Sequence, residues 1–263
     1  MALINSEKTL LKKSIELVNS FFNDDTSYFA ASLSFFTIFS ILPIIALGIA
    51  IISNIPEFDT YLDTFTSFLL NFLNPTHSND IVNTLKNYIS NSDKLGFIGI
   101  FYMLFVYIMF FKDYDYIVNK IHQTNRRAIY KSFFIYTIFF IVFPAIFIVL
   151  NLILNFYDGN IFKELLFFIF TWLIFFALFK VSVNKKISTK AAIISSFLTL
   201  LILSITKNLF VYYVVYNKTY STIYGSLSTL LFSFLWIYIS WIIYLYGFKL
   251  CHKLNLRYSN HIV

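Results

Sequence analysis

Residues Ser132–Tyr157 read SFFIYTIFFIVFPAIFIVLNLILNFY, an unbroken run without Asp, Glu, Lys or Arg. A helix rises about 1.5 Å per residue and the hydrocarbon of a bilayer is about 30 Å thick, so roughly 20 apolar residues cross it. The run lacks the period-two alternation of a barrel strand, and a helix satisfies its own backbone hydrogen bonds in lipid. Five further runs carry no charge: Thr26–Pro56, Leu95–Phe111, Leu165–Phe179, Ala191–Thr206 and Thr219–Phe248. The expected fold is all-α, a polytopic membrane protein of six transmembrane helices.

Composition supports this class. The 263 residues are 59% hydrophobic and 13% charged, against about 25% charged in a soluble domain. The longest polar gap, Glu57 to Lys94, leaves no room for a separate catalytic domain, so residues 1–263 read as one membrane domain. The abundance of Phe and Tyr reads as compositional bias rather than an aromatic-lined path, with some rings in interfacial belts. The single Cys251 excludes an intramolecular disulfide and any multi-cysteine metal site. The first apolar run lies far from Met1 and is too long for the core of a cleavable signal, so it is expected to remain as an anchor.

Fifteen of the twenty Lys and Arg residues lie in alternate segments. These are the N-terminus (Lys8, Lys12, Lys13), Lys112–Lys131, Lys180–Lys190 and the tail from Lys249 to Arg257. Positive charge stays cytoplasmic, so both termini are expected inside and residues 57–94 outside. The net charge of +7 is thus mainly a topology signal, with attraction to anionic head groups as a second effect. The basic residues are scattered and form no folded platform for nucleic acid.

Two polar segments have amphipathic spacing. Residues 1–24 carry Leu10, Leu11, Ile15, Val18 and Phe22, a cytoplasmic lead-in helix. In the outer loop at residues 57–94, Phe58, Tyr61, Leu62, Phe65, Phe68, Leu69 and Phe72 recur at helical intervals until Pro75. Ile81, Val82, Leu85, Tyr88 and Ile89 form a second short apolar face. These helices read as a structural cap or as a lid in contact with lipid. Pro43 and Pro144 interrupt the first and third runs, where a kink is expected.

Three groups of residues resemble the YihY/BrkB family of membrane proteins. The first is Ala30-Ala31-Ser32-Leu33-Ser34-Phe35-Phe36, followed by Ser40 and Pro43, with Asp24 or Asp25 as the preceding acid. The second is Leu95-Gly96-Phe97-Ile98-Gly99, then Val118-Asn119-Lys120-Ile121 and Arg126-Arg127. The third is Tyr224-Gly225-Ser226-Leu227, Trp236-Ile237-Tyr238 and Leu245-Tyr246-Gly247. The chain departs from the family pattern at Phe248 and Lys249, in place of Ala-Glu, and at Val183, in place of Pro before Asn184. The resemblance implies six spans in the inner membrane. It also implies a choice of roles attached to family members: ribonuclease, virulence or serum-resistance factor, and lipid or lipopolysaccharide export.

The residues bear on that choice. A metal-dependent nuclease needs clustered His and carboxylates. The four His (His77, His122, His252, His261) look dispersed, and Asp113 and Asp115 stand two apart, where helical positions do not share a face. No Walker A sequence or Gly-x-Ser-x-Gly elbow occurs. The chain is expected to be no enzyme and to need no cofactor or metal.

Lys207 is the lone charge inside a span, in its outer half, where snorkelling or contact with a lipid phosphate are the two readings. Asn208 adjoins it, and Asn151 and Asn155 share a face of the third span. These four are the candidate lipid-contacting residues, although inter-helix hydrogen bonding is the commoner role of such amides. Gly48, Gly225 and Gly247 are expected at close helix contacts, and Asp24 or Asp25 at the cap of the first span. The leading expectation is an inner-membrane protein of envelope maintenance that moves or positions a lipid or lipid-linked substrate. The alternative is a non-transporting scaffold for other envelope proteins. Membrane lipids are the expected partners, and the oligomeric state is left open.

Overall fold

A computed structural model describes residues 25–52, 87, 96–154, 160–216 and 227–259. Six long helices run through them: α1 (Asp25–Ile52), α2 (Gly96–Ile121), α3 (Ile129–Leu154), α4 (Asn160–Val181), α5 (Thr189–Tyr216) and α6 (Leu227–Ser259). Among the described residues there is no strand. The protein is an all-α polytopic membrane protein. Stretches at Ile129–Phe147, Phe162–Val181, Thr189–Tyr216 and Leu231–Tyr258 are long and apolar enough to cross a bilayer. α1 and α2, of 28 and 26 residues, carry the two other uncharged runs from which six spans are expected. The lead-in at residues 1–24 and the amphipathic segments at 57–94 lie outside the described residues.

The helices outrun the uncharged stretches. α2 continues through Lys112 and Lys120, so these cations stand on a helix rather than on a loop. α6 likewise runs on past Phe248 through Lys249, Lys253 and Arg257. Lipid limits where charges sit, whereas the backbone hydrogen-bond ladder continues for as long as the sequence lacks a breaker.

α2 ends because Gln123 turns into the left-handed region, φ 53°. Thr124 N–H then bonds Asn119 O at 3.0 Å and Gln123 N–H bonds Lys120 O at 3.1 Å. That pair of bonds is a Schellman closure with Gln in the place usually held by Gly.

α6 is the hub. It packs on α1, α2 and α5, while α4 leans on α5, and α1 and α3 lean on α2. The α5–α6 contact is made by small residues. Ala191, Ala192, Ser195, Ser196 and Thr199 are buried on α5, and of these Thr199 meets Gly247 on α6. A Cβ at Gly247 would overlap Thr199 Oγ1 and lie 2.9 Å from Phe179 Cζ, so only glycine allows this approach without a shift. Several hydroxyls inside the helices are satisfied by their own carbonyls: Thr37 on Leu33, Thr171 on Phe167, Ser195 on Ala191, Thr199 on Ser195 and Ser240 on Trp236. Large apolar side chains such as Phe101, Phe134 and Leu209 face outward, the inverse of a soluble surface.

Candidate functional site

α1, α3 and α5 start, and α2, α4 and α6 finish, at one end of the bundle. The short connections 122–128 and 182–188 meet there. Asn119 ties the end of α2 to the 182–188 connection with one amide. Its Nδ2 donates to Asp115 O at 2.8 Å and to Ser182 O at 3.4 Å, and its Oδ1 accepts from Asn184 N–H at 2.7 Å. Asn184 Nδ2 returns a bond to Asn125 O at 3.0 Å, and Arg127 Nη2 donates to Val183 O at 2.7 Å. Asn255 of α6 accepts from Ser188 N–H at 2.7 Å, one residue before α5 begins. Lys120 faces Asp25 at 3.6 Å, an exposed pair that contributes little.

Beneath this end lies an aromatic and hydroxyl core. Tyr114 shares a 2.7 Å hydrogen bond with Tyr244 and a 3.1 Å one with Ser182. Tyr136 of α3 donates to Asp115 Oδ1 at 3.1 Å. Phe179 stacks on Phe248 with centroids 4.2 Å apart. On the α1 side, Trp241 Nε1 donates to Thr37 Oγ1 at 2.8 Å.

His122 is buried, and its ring lies 5.3 Å from that of His252. The expectation of dispersed histidines therefore fails for this pair, because the end of α2 packs beside the last turns of α6. Burial is the main cause that holds the His122 imidazole down, to about 4, with His252 and Lys185 adding repulsion. Its Nδ1 is 3.2 Å from Val118 O, and Nε2 is buried without a partner. Among the described residues no three His, Cys, Asp or Glu side chains gather as metal ligands.

A shallow cleft lies between α2 and the start of α3. Ile108, Phe111, Lys112 and Asp115 line it from α2, Arg126 and Arg127 from the connection, and Ile129, Ser132 and Phe133 from α3. Two polar atoms here are buried and unpartnered, Arg127 Nη1 and Ser132 Oγ. Leaving such groups unsatisfied costs about 1–3 kcal/mol each. The cleft escaped the sequence reading. Its signal there is the Arg126-Arg127 pair, which reads as topology and as part of the second family-like group.

The four candidate lipid-contacting residues are placed as follows. Lys207 is half-buried and Asn208 exposed on α5, and neither has a hydrogen bond or ion pair among the described residues. Asn151 is a helical position of α3, and Asn155 lies outside the described residues. Of the motif residues, Asp25 opens α1, Ser40 is buried with its Oγ 3.3 Å from Thr37 O, and Pro43 lies within α1. Trp236 is buried against Phe210 and Phe232, and Gly247 sits at the α5–α6 contact. Asp24, Tyr224 and Gly225 lie outside the described residues.

A family model described as virulence factor BrkB matches residues 17–262. A "UPF0761 membrane protein" of Haemophilus influenzae (strain 86-028NP) is 29% identical over 239 residues, covering 86% of this chain and 88% of its own. One from Pseudoalteromonas atlantica is 25% identical over 253 residues, covering 90% and 84%. One from Aggregatibacter aphrophilus is 27% identical over 234 residues, covering 84% of each. No solved structure matches the chain.

Proposed function

The chain belongs to the virulence factor BrkB family of membrane proteins, and from that premise we propose that it moves or positions a lipid or lipid-linked substrate across the inner membrane. In this reading both termini are cytoplasmic, the work is envelope maintenance, and no catalytic step is assigned.

The observation that supports it is Lys207. This cation sits well along α5, about 27 Å from Thr189 at 1.5 Å per residue. It is half-buried, with no acidic or hydrogen-bonding partner among the described residues. A lysine within a span costs a few kcal/mol unless it snorkels or finds a counter-ion. A lipid phosphate supplies that counter-ion, and the neighbouring Asn208, with Asn151 and Asn155 of the third span, supplies amide donors.

The test is complementation of a strain lacking the gene, at matched expression, scored by envelope permeability and by leaflet lipid composition. Lys207→Arg should retain partial function, and Lys207→Leu should lose it even though leucine inserts into a membrane more easily. Full function of Lys207→Leu would remove the lipid site and leave a scaffold as the better reading.

A further inference from the structure

The basic end of the bundle holds a second set of cations with no assigned work. We propose that the cleft between the last turns of α2 and the start of α3 binds the phosphate of a phosphate-bearing lipid. Arg127, Arg126, Lys112 and Ser132 hold the phosphate oxygens, and Ile108, Ile129 and Phe133 lie along the first part of its acyl chain. This inference rests on the lipid-handling reading of the protein but on none of the residues used there.

Ser132 carries the argument. It is 4% exposed, and its Oγ has no partner. Hydroxyls elsewhere in the bundle, such as Thr37, Ser195 and Thr199, bond their own helix carbonyls four residues back. Ser132 does not, and it lines the cleft.

Arg127 supplies the second observation. Its guanidinium is anchored by Nη2 on Val183 O at 2.7 Å, while Nη1 is buried and unpartnered. An arginine held by one arm presents the other as a fixed donor, the geometry that suits a phosphate oxygen.

The electrostatics agree. Three cations line the cleft against one acid, Asp115, whose Oδ1 already accepts from Tyr136. Two positive charges remain uncompensated. The α3 helix starts here with Ala128 O accepting the first bonds, from Lys131 and Ser132 N–H, so the N–H groups of its first turn add to the positive potential.

The apolar wall selects the class of ligand. Ile108 is 38% exposed and Ile129 is 51% exposed, beside the cations. A free phosphate ester needs only the charges. A lipid needs both halves, and basic pockets between membrane helices are known to suit phosphate head groups.

The experiment measures binding to the purified full chain in detergent by native mass spectrometry, with three probes. Dioleoylphosphatidylglycerol should bind. Dioleoylglycerol, with the same chains and no phosphate, should bind at least about tenfold more weakly, and glycerol 3-phosphate should show no binding. The double variant Lys112→Gln/Arg126→Gln should weaken phosphatidylglycerol binding by about tenfold or more, because two charge-assisted contacts are lost.

Neither of those side chains makes a hydrogen bond or ion pair among the described residues, so the thermal midpoint should hold. Ser132→Ala, expected to weaken binding by about threefold, carries the test if the double variant does not fold. Unchanged phosphatidylglycerol binding in the folded variant overturns the proposal. So does equal binding of dioleoylglycerol, and glycerol 3-phosphate binding as tightly as the lipid would make the ligand a soluble ester. The substitutions change only this cleft, away from Lys207, so their effect on binding reads the cleft and leaves the Lys207 reading to its own assay.

Discussion

Asn119 fastens the 182–188 connection to α2 with one amide, accepting from Asn184 N–H and donating to Ser182 O and Asp115 O. It is 1% exposed, so water cannot replace these bonds. Asn119→Ala should cost about 2 kcal/mol through orphaned backbone groups. Thermal unfolding in micelles should show a lower midpoint than for Asn125→Ala, whose side chain is exposed. His122 predicts a pH effect. Its folded pKa is near 4, against about 6.5 when unfolded. The unfolded chain therefore binds the proton first, and stability falls as pH drops from about 6.5 towards 4, by up to about 3 kcal/mol. Above pH 6.5 the full contribution is present. His122→Gln should flatten the midpoint-versus-pH curve over that window, and a slope identical to the parent's would mean that another group titrates. In the sequence His122 was a lone histidine on a basic segment. Its burial depends on Phe248 and His252 of α6, which no local pattern encodes.

At the scale of elements, the α5–α6 contact is the tightest constraint. Gly247→Ala places a methyl against Thr199 Oγ1, which is held by its 2.7 Å bond to Ser195 O, and against Phe179. Overpacking of this kind costs about 1–3 kcal/mol. Thr199→Ala in the Gly247→Ala background should recover part of the loss, because it removes the nearest obstructing atom. Absence of any recovery would shift the cause to Phe179 or to the helix backbone. Gly247 was marked in the sequence as a close-contact residue, and the structure bears this out. Thr199, which meets it, carries no such mark in the sequence, since small residues also occur on lipid-facing surfaces. Helix ends were the least legible feature. The uncharged runs mark the hydrocarbon, while α2 and α6 extend beyond it on polar residues that still favour helix.

For the whole molecule, the connections 122–128 and 182–188 share one end, and the Lys and Arg bias is the ground for proposing that this end is cytoplasmic. If that end is cytoplasmic, as we propose, then in a Cys251→Ser background cysteines at Gln123 and Lys186 should both resist a membrane-impermeant maleimide on intact cells and label in inverted vesicles. Labelling of both on intact cells would invert the protein, and labelling of only one would contradict the shared end. The class, the helical nature of each span and the alternation of basic segments were determined by sequence alone. Lipid imposes those constraints on every segment separately, through the cost of a charge or an open backbone group in hydrocarbon. Only the tertiary structure decided which polar side chains meet: Tyr114 with Tyr244, His122 with His252, Asn119 with Asn184, and Arg127 and Ser132 across one cleft. In a membrane bundle the face turned to lipid and the face turned to a neighbour are both apolar. Hydropathy therefore carries little information on the rotation of each helix, and packing sets it.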